Sequence, residues 1–123
     1  MYYIETKIIK IMMETIEWSD FEKVKLRIGT IIEAKPFEKA KKPAYQLKID
    51  FGEFGIKQSS AQITQHYKTE ELIGKQIVAV TNFPTKQIAN FFSEVLVLGG
   101  IMTDHSVILL STDKPIPNGT IVG

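Results

Sequence analysis

The sequence contains no cysteine. That excludes a disulfide framework, a cysteine-based zinc site and a thiol nucleophile. It has two histidines, His66 and His105, far apart and without neighbours at metal-ligand spacing. No apolar run approaches the roughly 20 residues that a membrane helix needs. The opening "MYYIETKIIKIMMETIEW" has acids inside it and no small-residue cleavage site, so it lacks the layout of a signal peptide. These absences point to a cytoplasmic protein that does not insert into membranes. Net charge is also scarce, at +1, and by itself names no partner.

What is present is ordinary globular material. Apolar residues make up 44% of the 123 and charged residues 24%. A chain this long suits one domain and buries roughly two-thirds of the surface its unfolded form exposes. The charge is unevenly placed. Between 23 and 48, Lys23, Lys25, Arg27, Lys35, Lys39, Lys41, Lys42 and Lys48 face only Glu33 and Glu38, a local balance of +6. The remainder carries −5, and after Lys86 the only cation is Lys114. Such asymmetry creates a local positive field on a nearly neutral protein; a solvated lysine-rich loop is the plainer reading.

Hydrophobic periodicity predicts strands. In "VKLRIGTIIEA" (24–34), Val24, Leu26, Ile28, Thr30, Ile32 and Ala34 share one parity, the pattern of a long half-buried strand. Gly29 in its middle predicts a bend or bulge. "AYQLKIDF" (44–51) alternates likewise, with Tyr45, Leu47, Ile49 and Phe51 on one side. Further strands are expected at "IKQSSAQI", 76–83, 93–100 and 106–110. The proline- and lysine-rich stretch 35–44 reads as a loop. "YKTEELIGK" predicts a helical turn capped by Thr69 and stopped by Gly74, and "SDFE" (19–22) predicts a helix capped by Ser19 and Glu22. An Asn-Gly turn sits in "PIPNGTIVG". Five or six short strands with a helix between the third and fourth predict an all-β chain. The expected architecture is a five-stranded OB-fold Greek-key barrel with short helices and terminal extensions. An SH3-like barrel or a generic sandwich are the alternatives. Residues 1–18 stand apart from the domain at 19–123. With Met12 and Met13 before the capped helix, a downstream start would make residues 1–11 dispensable; alternatively "YYIETKIIKIM" adds a strand or arm.

A catalytic constellation is not legible. Ser59 and Ser60 lack the Gly-x-Ser-x-Gly context of a nucleophile elbow. The acid pairs Asp50/Glu53 and Glu70/Glu71 fit a turn and a helix start. Gly99-Gly100 has no phosphate-loop pattern. A binding role without cofactor or metal is the better reading, because small barrels present one face and two loops to extended ligands. Lysines with exposed aromatics suit single-stranded nucleic acid, and an aromatic groove suits unfolded polypeptide. Phe91 and Phe92 are consecutive, so both cannot face one side of a strand.

Two segments carry a family resemblance. "DFEKVKLRIGTIIEA" resembles the opening of the tRNA-binding domain found in stand-alone tRNA-binding proteins and at the end of some methionyl-tRNA synthetases, through Phe21, Leu26, Arg27, Ile28 and Gly29. "NFPTKQIANFFSEVLVLGG" resembles its second signature through Asn82, Pro84, Lys86, Ser93 and Glu94. "GIKQSSAQIT", "NFP", "SEVLVLGG" and "PNGT" resemble the CsaA branch, the export-related chaperones. The match covers residues 20–123. The chain departs from tRNA-binding members where Val95-Leu96 replaces Gly-Met and Ser59-Ser60-Ala61 replaces Val-Ser-Gly. The resemblance implies a cytoplasmic OB-fold homodimer that binds unfolded or precursor polypeptides and assists export with the Sec translocation ATPase. Binding of tRNA is the alternative. For the peptide site it implies Phe83, Phe91, Phe92, Ser59, Ser60, Gln62 and Asn82. A cationic rim or nucleic-acid contact would use Lys35, Lys41, Lys42, Lys86 and Ser93. The dimer interface would use Phe21, Pro115, Ile116, Pro117 and Asn118.

Overall fold

Leu47, Ile49 and Phe51 recur at every second position, and in the fold all three side chains are at most 1% exposed. They belong to a barrel that the computed structural model describes over residues 14–123. The question of residues 1–11, and most of the expected extension at 1–18, lies outside the described residues.

In chain order the elements are α1 (Trp18–Glu22), β1 (Leu26–Pro36), β2 (Tyr45–Asp50), a 3-10 turn (Gly52–Phe54), β3 (Ile56–Ala61), α2 (Thr69–Leu72) and β4 (Gln76–Val80). Then follow β5 (Lys86–Ile88), β6 (Phe91–Ser93), β7 (Leu96–Val97), β8 (Gly99–Ile101), β9 (Val107–Leu109) and β10 (Ile121–Val122). The main sheet runs β3-β2-β1-β4-β7, with β10 beside the start of β1; β5–β6 and β8–β9 are separate hairpins. The sheet curls until β3 meets the chain leading into β7. There the Glu94 and Val95 amides both donate to the Gln58 carbonyl, at 2.8 and 3.3 Å. The buried Ser59 hydroxyl donates to the Val95 carbonyl at 2.9 Å. This is the expected all-β OB-fold.

The core joins Ile31, Leu47, Ile49, Phe51, Ile63, Leu72, Ile77, Val95 and Leu109. Full burial of each such side chain is worth about 1.5–3 kcal/mol. Leu72 on α2 is fully buried, and Gly74 (φ +87°) ends that helix as expected. Thr69 is the first helical residue, with Lys68 at the cap; the Lys68 amide donates to the Glu71 carboxylate at 2.7 Å. In α1 the cap is Glu17, whose amide donates to Asp20, and Ser19 lies inside the helix.

Two expectations for β1 are corrected. Gly29 and Ile31 face the core, not the opposite parity, and Ile32 is exposed. Aliphatic residues occupy both parities here, so the pattern could not tell the faces apart. The bulge lies between Ile31 and Glu33, beyond Gly29. Gly29 serves close packing instead. A Cβ there would stand 2.6 Å from an Ile49 methyl and 2.7 Å from the Phe51 ring. The expected strand 93–100 is also divided. Its pieces serve different partners: β6 pairs with β5, β7 with β4, and β8 with β9.

Candidate functional site

Strand register places the polar residues of β1, β2 and β3 in two rows on the outer face. Lys35, Gln46 and Ser60 form one row; Glu33, Lys48 and Gln58 form the other. Lys48 and Glu33 are 3.6 Å apart and half exposed, a pair of small energetic weight. Glu33, Lys35, Gln46, Lys48 and Gln58 line a shallow hollow of about 110 Å³ together with Leu47 and Phe91.

The β5–β6 hairpin forms one wall. It turns through Ala89 at φ +53°, a conformation that costs a non-glycine residue of order 1 kcal/mol. Its phenylalanines divide by strand alternation. Phe92 points outward and is 51% exposed. Phe91 points inward at 7% and packs on Phe37 of the lysine loop, with ring centres 5.3 Å apart. Ala44, Ala40 and Ile88 complete this satellite cluster, which is separate from the barrel core.

The Ser93-Glu94 pair caps the open edge of β3. The Ser60 amide donates to Ser93 Oγ at 3.0 Å, and the Gln58 amide donates to Glu94 Oε1 at 3.0 Å. Asn82 acts as a side-chain rung. Its Oδ1 accepts the Lys25 amide at 2.9 Å, and its Nδ2 donates to the Lys23 carbonyl at 2.7 Å.

The residues expected at the peptide site are therefore split. Phe83, Phe92 and Gln62 are exposed, and Ser60 is half buried in the outer row. Phe91 and Ser59 turn inward, because strand alternation aims them at the satellite cluster and the barrel seam. Asn82 and Ser93 spend their polar atoms within the chain. Of the expected cations, Lys35 lines the hollow, while Lys41 and Lys42 are exposed on the loop after β1 and Lys86 is exposed on the β5–β6 hairpin. Sequence reasoning missed Gln46, Lys48 and Gln58 as parts of this surface and Phe37 as the buried partner of Phe91. A lone aromatic inside the lysine loop was the available signal for Phe37.

The expected interface residues lie elsewhere. Phe21 is half buried, its ring 5.4 Å from that of Trp18. The segment Pro115–Asn118 is stitched to the barrel by Gln76, whose Nε2 donates to the Ile116 carbonyl at 2.7 Å and to Asn118 Oδ1 at 3.2 Å. Gln76 Oε1 accepts the Ile116 amide at 3.1 Å. Pro115 and Pro117 are exposed and Ile116 is half buried. A second surface is apolar. Register turns Leu26, Ile28, Val78, Val80 and Leu96 away from the barrel core on the β1–β4–β7 half; Ile28 and Val80 are nonetheless buried, and the exposed part is Leu96 with Ile108 and Leu110. Leu96, Ile108 and Leu110 are 48%, 39% and 47% exposed.

One polar chain resembles catalytic machinery without its order. His66 Nε2 lies 2.8 Å from the Ser106 hydroxyl, which donates to Asp104. The Ser106 hydroxyl and amide bonds hold the Asp104 carboxyl below its ordinary value. Ser106 is buried, and its hydroxyl donates to the Asp104 carboxylate, not to the His66 imidazole, so the Ser–His–Asp order of a nucleophilic triad is not present. Among the described residues there is no group of three or more acids and histidines that could hold a metal, and no helix long and apolar enough to cross a membrane.

Residues 26–121 match the family described as "Putative tRNA binding domain". The chain is similar to the crystal structure of the chaperone CsaA from Bacillus anthracis, with 53% identity and a TM-score of 0.86 over 89% of this chain and 100% of that one. It is likewise similar to the CsaA chaperone of Picrophilus torridus, with 55% identity and a TM-score of 0.83 over the same shares. Among curated proteins, the methionine–tRNA ligase of Methanococcoides burtonii is 35% identical over 109 residues. That match takes in 89% of this chain and 16% of the ligase, so the chain spans about one sixth of the length of such relatives.

Proposed function

The chain belongs to the tRNA-binding-domain family, in its CsaA-type branch, and on that premise we propose that it is a dimeric chaperone that binds unfolded or precursor polypeptides. In this reading it works in the cytoplasm, assists export with the Sec translocation ATPase and catalyses no reaction. The carrying observation is similarity above 50% identity, over 89% of this chain, to two proteins named as CsaA chaperones. The outer face fits the role. Gln46, Gln58 and Ser60 offer uncharged hydrogen-bonding groups to any peptide backbone, and the exposed Phe92 beside them offers apolar contact. Dimerisation has its own support in the apolar surface around Leu96, Ile108 and Leu110. A two-fold pair burying that surface would present two client sites and gain avidity.

A second reading is structure-directed tRNA binding. It is favoured by the lysines: Lys35 lines the hollow, and Lys41, Lys42 and Lys86 are exposed on the loop after β1 and on the β5–β6 hairpin. A salt titration separates the readings. Binding of a fluorescent unfolded polypeptide changes little with salt if the contacts are mainly apolar and uncharged. Binding of tRNA falls steeply, with a log–log slope of about −0.7 to −0.9 per phosphate neutralised. Salt-sensitive tRNA binding without polypeptide binding would overturn the chaperone reading. Sedimentation equilibrium tests the dimer, and a monomer at micromolar concentration would refute it.

A further inference from the structure

A lysine-rich loop usually waves in solvent, yet this one is folded around an aromatic ring. Pro36 and Pro43 bound it. The Phe37 amide donates to the Ala44 carbonyl at 3.0 Å, closing its neck, and the Ala40 amide donates to the Phe37 carbonyl at 3.3 Å. Phe37 is only 5% exposed although it lies outside the barrel core. Its partner is Phe91 on β6, and β6 is tied to β3 through the Ser93–Ser60 bond. Loop, hairpin and barrel edge are thus linked in series.

The consequence is electrostatic. Lys39 and Lys41 flank Ala40, which packs into the satellite cluster, Lys42 follows them, and Phe91 lines the same hollow as Lys35. Lys86 sits opposite Ser93 in the hairpin. Among the described residues, none of these five lysines lies within 4.0 Å of a carboxylate, whereas Lys48 is paired with Glu33. We propose that Phe37 and Phe91 are positioning residues that lock the lysine loop and the β5–β6 hairpin into one rigid rim, and that this rim grips the phosphate backbone of an RNA. The proposal rests on the second reading above. A held rim loses less conformational entropy on binding than five independent lysine side chains on a mobile loop. An RNA also has flat bases to stack on the exposed Phe92 ring, which an acidic polypeptide lacks.

The test compares wild type with Phe37→Ala, Phe37→Leu and the triple variant Lys39→Gln/Lys41→Gln/Lys42→Gln. Native-state trypsin reads the loop directly. The bonds after Lys35 and Lys42 precede proline and resist cleavage, so loop cutting reports on Lys39 and Lys41. Phe37→Ala is expected to be cut roughly tenfold faster or more, because local opening becomes easier. Phe37→Leu, which keeps an apolar anchor, stays near wild type. Unfractionated tRNA is the binding probe. The log–log salt slope becomes shallower by about 2 in both Phe37→Ala and the triple variant, as two to three phosphate contacts are lost. Unchanged trypsin resistance in Phe37→Ala would overturn the rigid rim. Faster cutting with an unchanged tRNA slope would overturn the phosphate grip and leave the chaperone reading intact. If wild type binds no tRNA, the RNA reading fails and this proposal with it. The same holds if an acidic unfolded polypeptide, and not tRNA, shows the salt dependence. Should Phe37→Ala fail to fold, an unchanged slope in the triple variant is sufficient to refute the grip.

Discussion

Alanine at two adjacent phenylalanines should produce opposite phenotypes. Phe91 is 7% exposed and packed on Phe37, so Phe91→Ala opens a cavity. Buried Phe→Ala changes cost about 3–5 kcal/mol. Among the described residues the satellite cluster has three buried members, Phe37, Ala44 and Phe91, and partial collapse keeps the cost near the lower bound. For a chain of 123 residues, about 3 kcal/mol lowers Tm by about 12 °C. Phe92 is 51% exposed, and its removal should change stability by no more than about 0.5 kcal/mol, or about 2 °C. Loss of one central aromatic contact costs about 1–4 kcal/mol of binding, roughly 5- to 1,000-fold in Kd. Thermal unfolding by circular dichroism reads the first effect, and fluorescence anisotropy with an unfolded polypeptide and with tRNA reads the second. Equal Tm losses in the two variants would refute the assigned strand faces. Unchanged Kd for both ligands in Phe92→Ala would remove that ring from the site.

Gly29→Ala should destabilise the barrel by about 1–3 kcal/mol, because its Cβ would sit 2.6 Å from an Ile49 methyl; a neutral result in chemical denaturation would mean the contact relaxes freely. Gln76→Leu removes the side-chain bonds that hold Ile116 and Asn118. Hydrogen exchange at the Ile116 amide should accelerate while β2 and β4 amides keep their protection, and uniform acceleration would contradict a local tether. Asp104 has its carboxyl held below its ordinary value by the Ser106 bonds. A depressed carboxyl stabilises the fold above its unfolded value, and that contribution is lost as pH falls through the lower folded value. The Ser106 amide resonance should therefore titrate with a midpoint below that of an aspartate in the unfolded chain, and a midpoint at or above it would show that the bonds do not favour the ionised form.

Much of the barrel was legible because its signals are local. Alternation at Leu47, Ile49 and Phe51 marks one face of β2, Gly74 marks the end of α2, and the basic excess around 35–42 marks the loop beside the site. β1 was misread in facing because aliphatics stand on both parities, and only packing against Ile49 and Phe51 chooses between them. The family signature was legible as a signature, and the structure adds what its polar residues do within the chain. Asn82, Ser93 and Glu94 close backbone gaps between segments distant in sequence, and Ser59 seals the barrel seam.

By itself, then, the sequence determined the strand periods, the turns, the uneven charge and the family. Each follows from residue type at short spacing. Tertiary structure decided which of Phe91 and Phe92 meets solvent, which polar groups remain free to bind, and that the lysine loop is anchored to the hairpin. Those outcomes depend on what packs across the barrel, as in the pairing of Phe37 with Phe91, and no local pattern encodes the partner of a side chain 54 residues away.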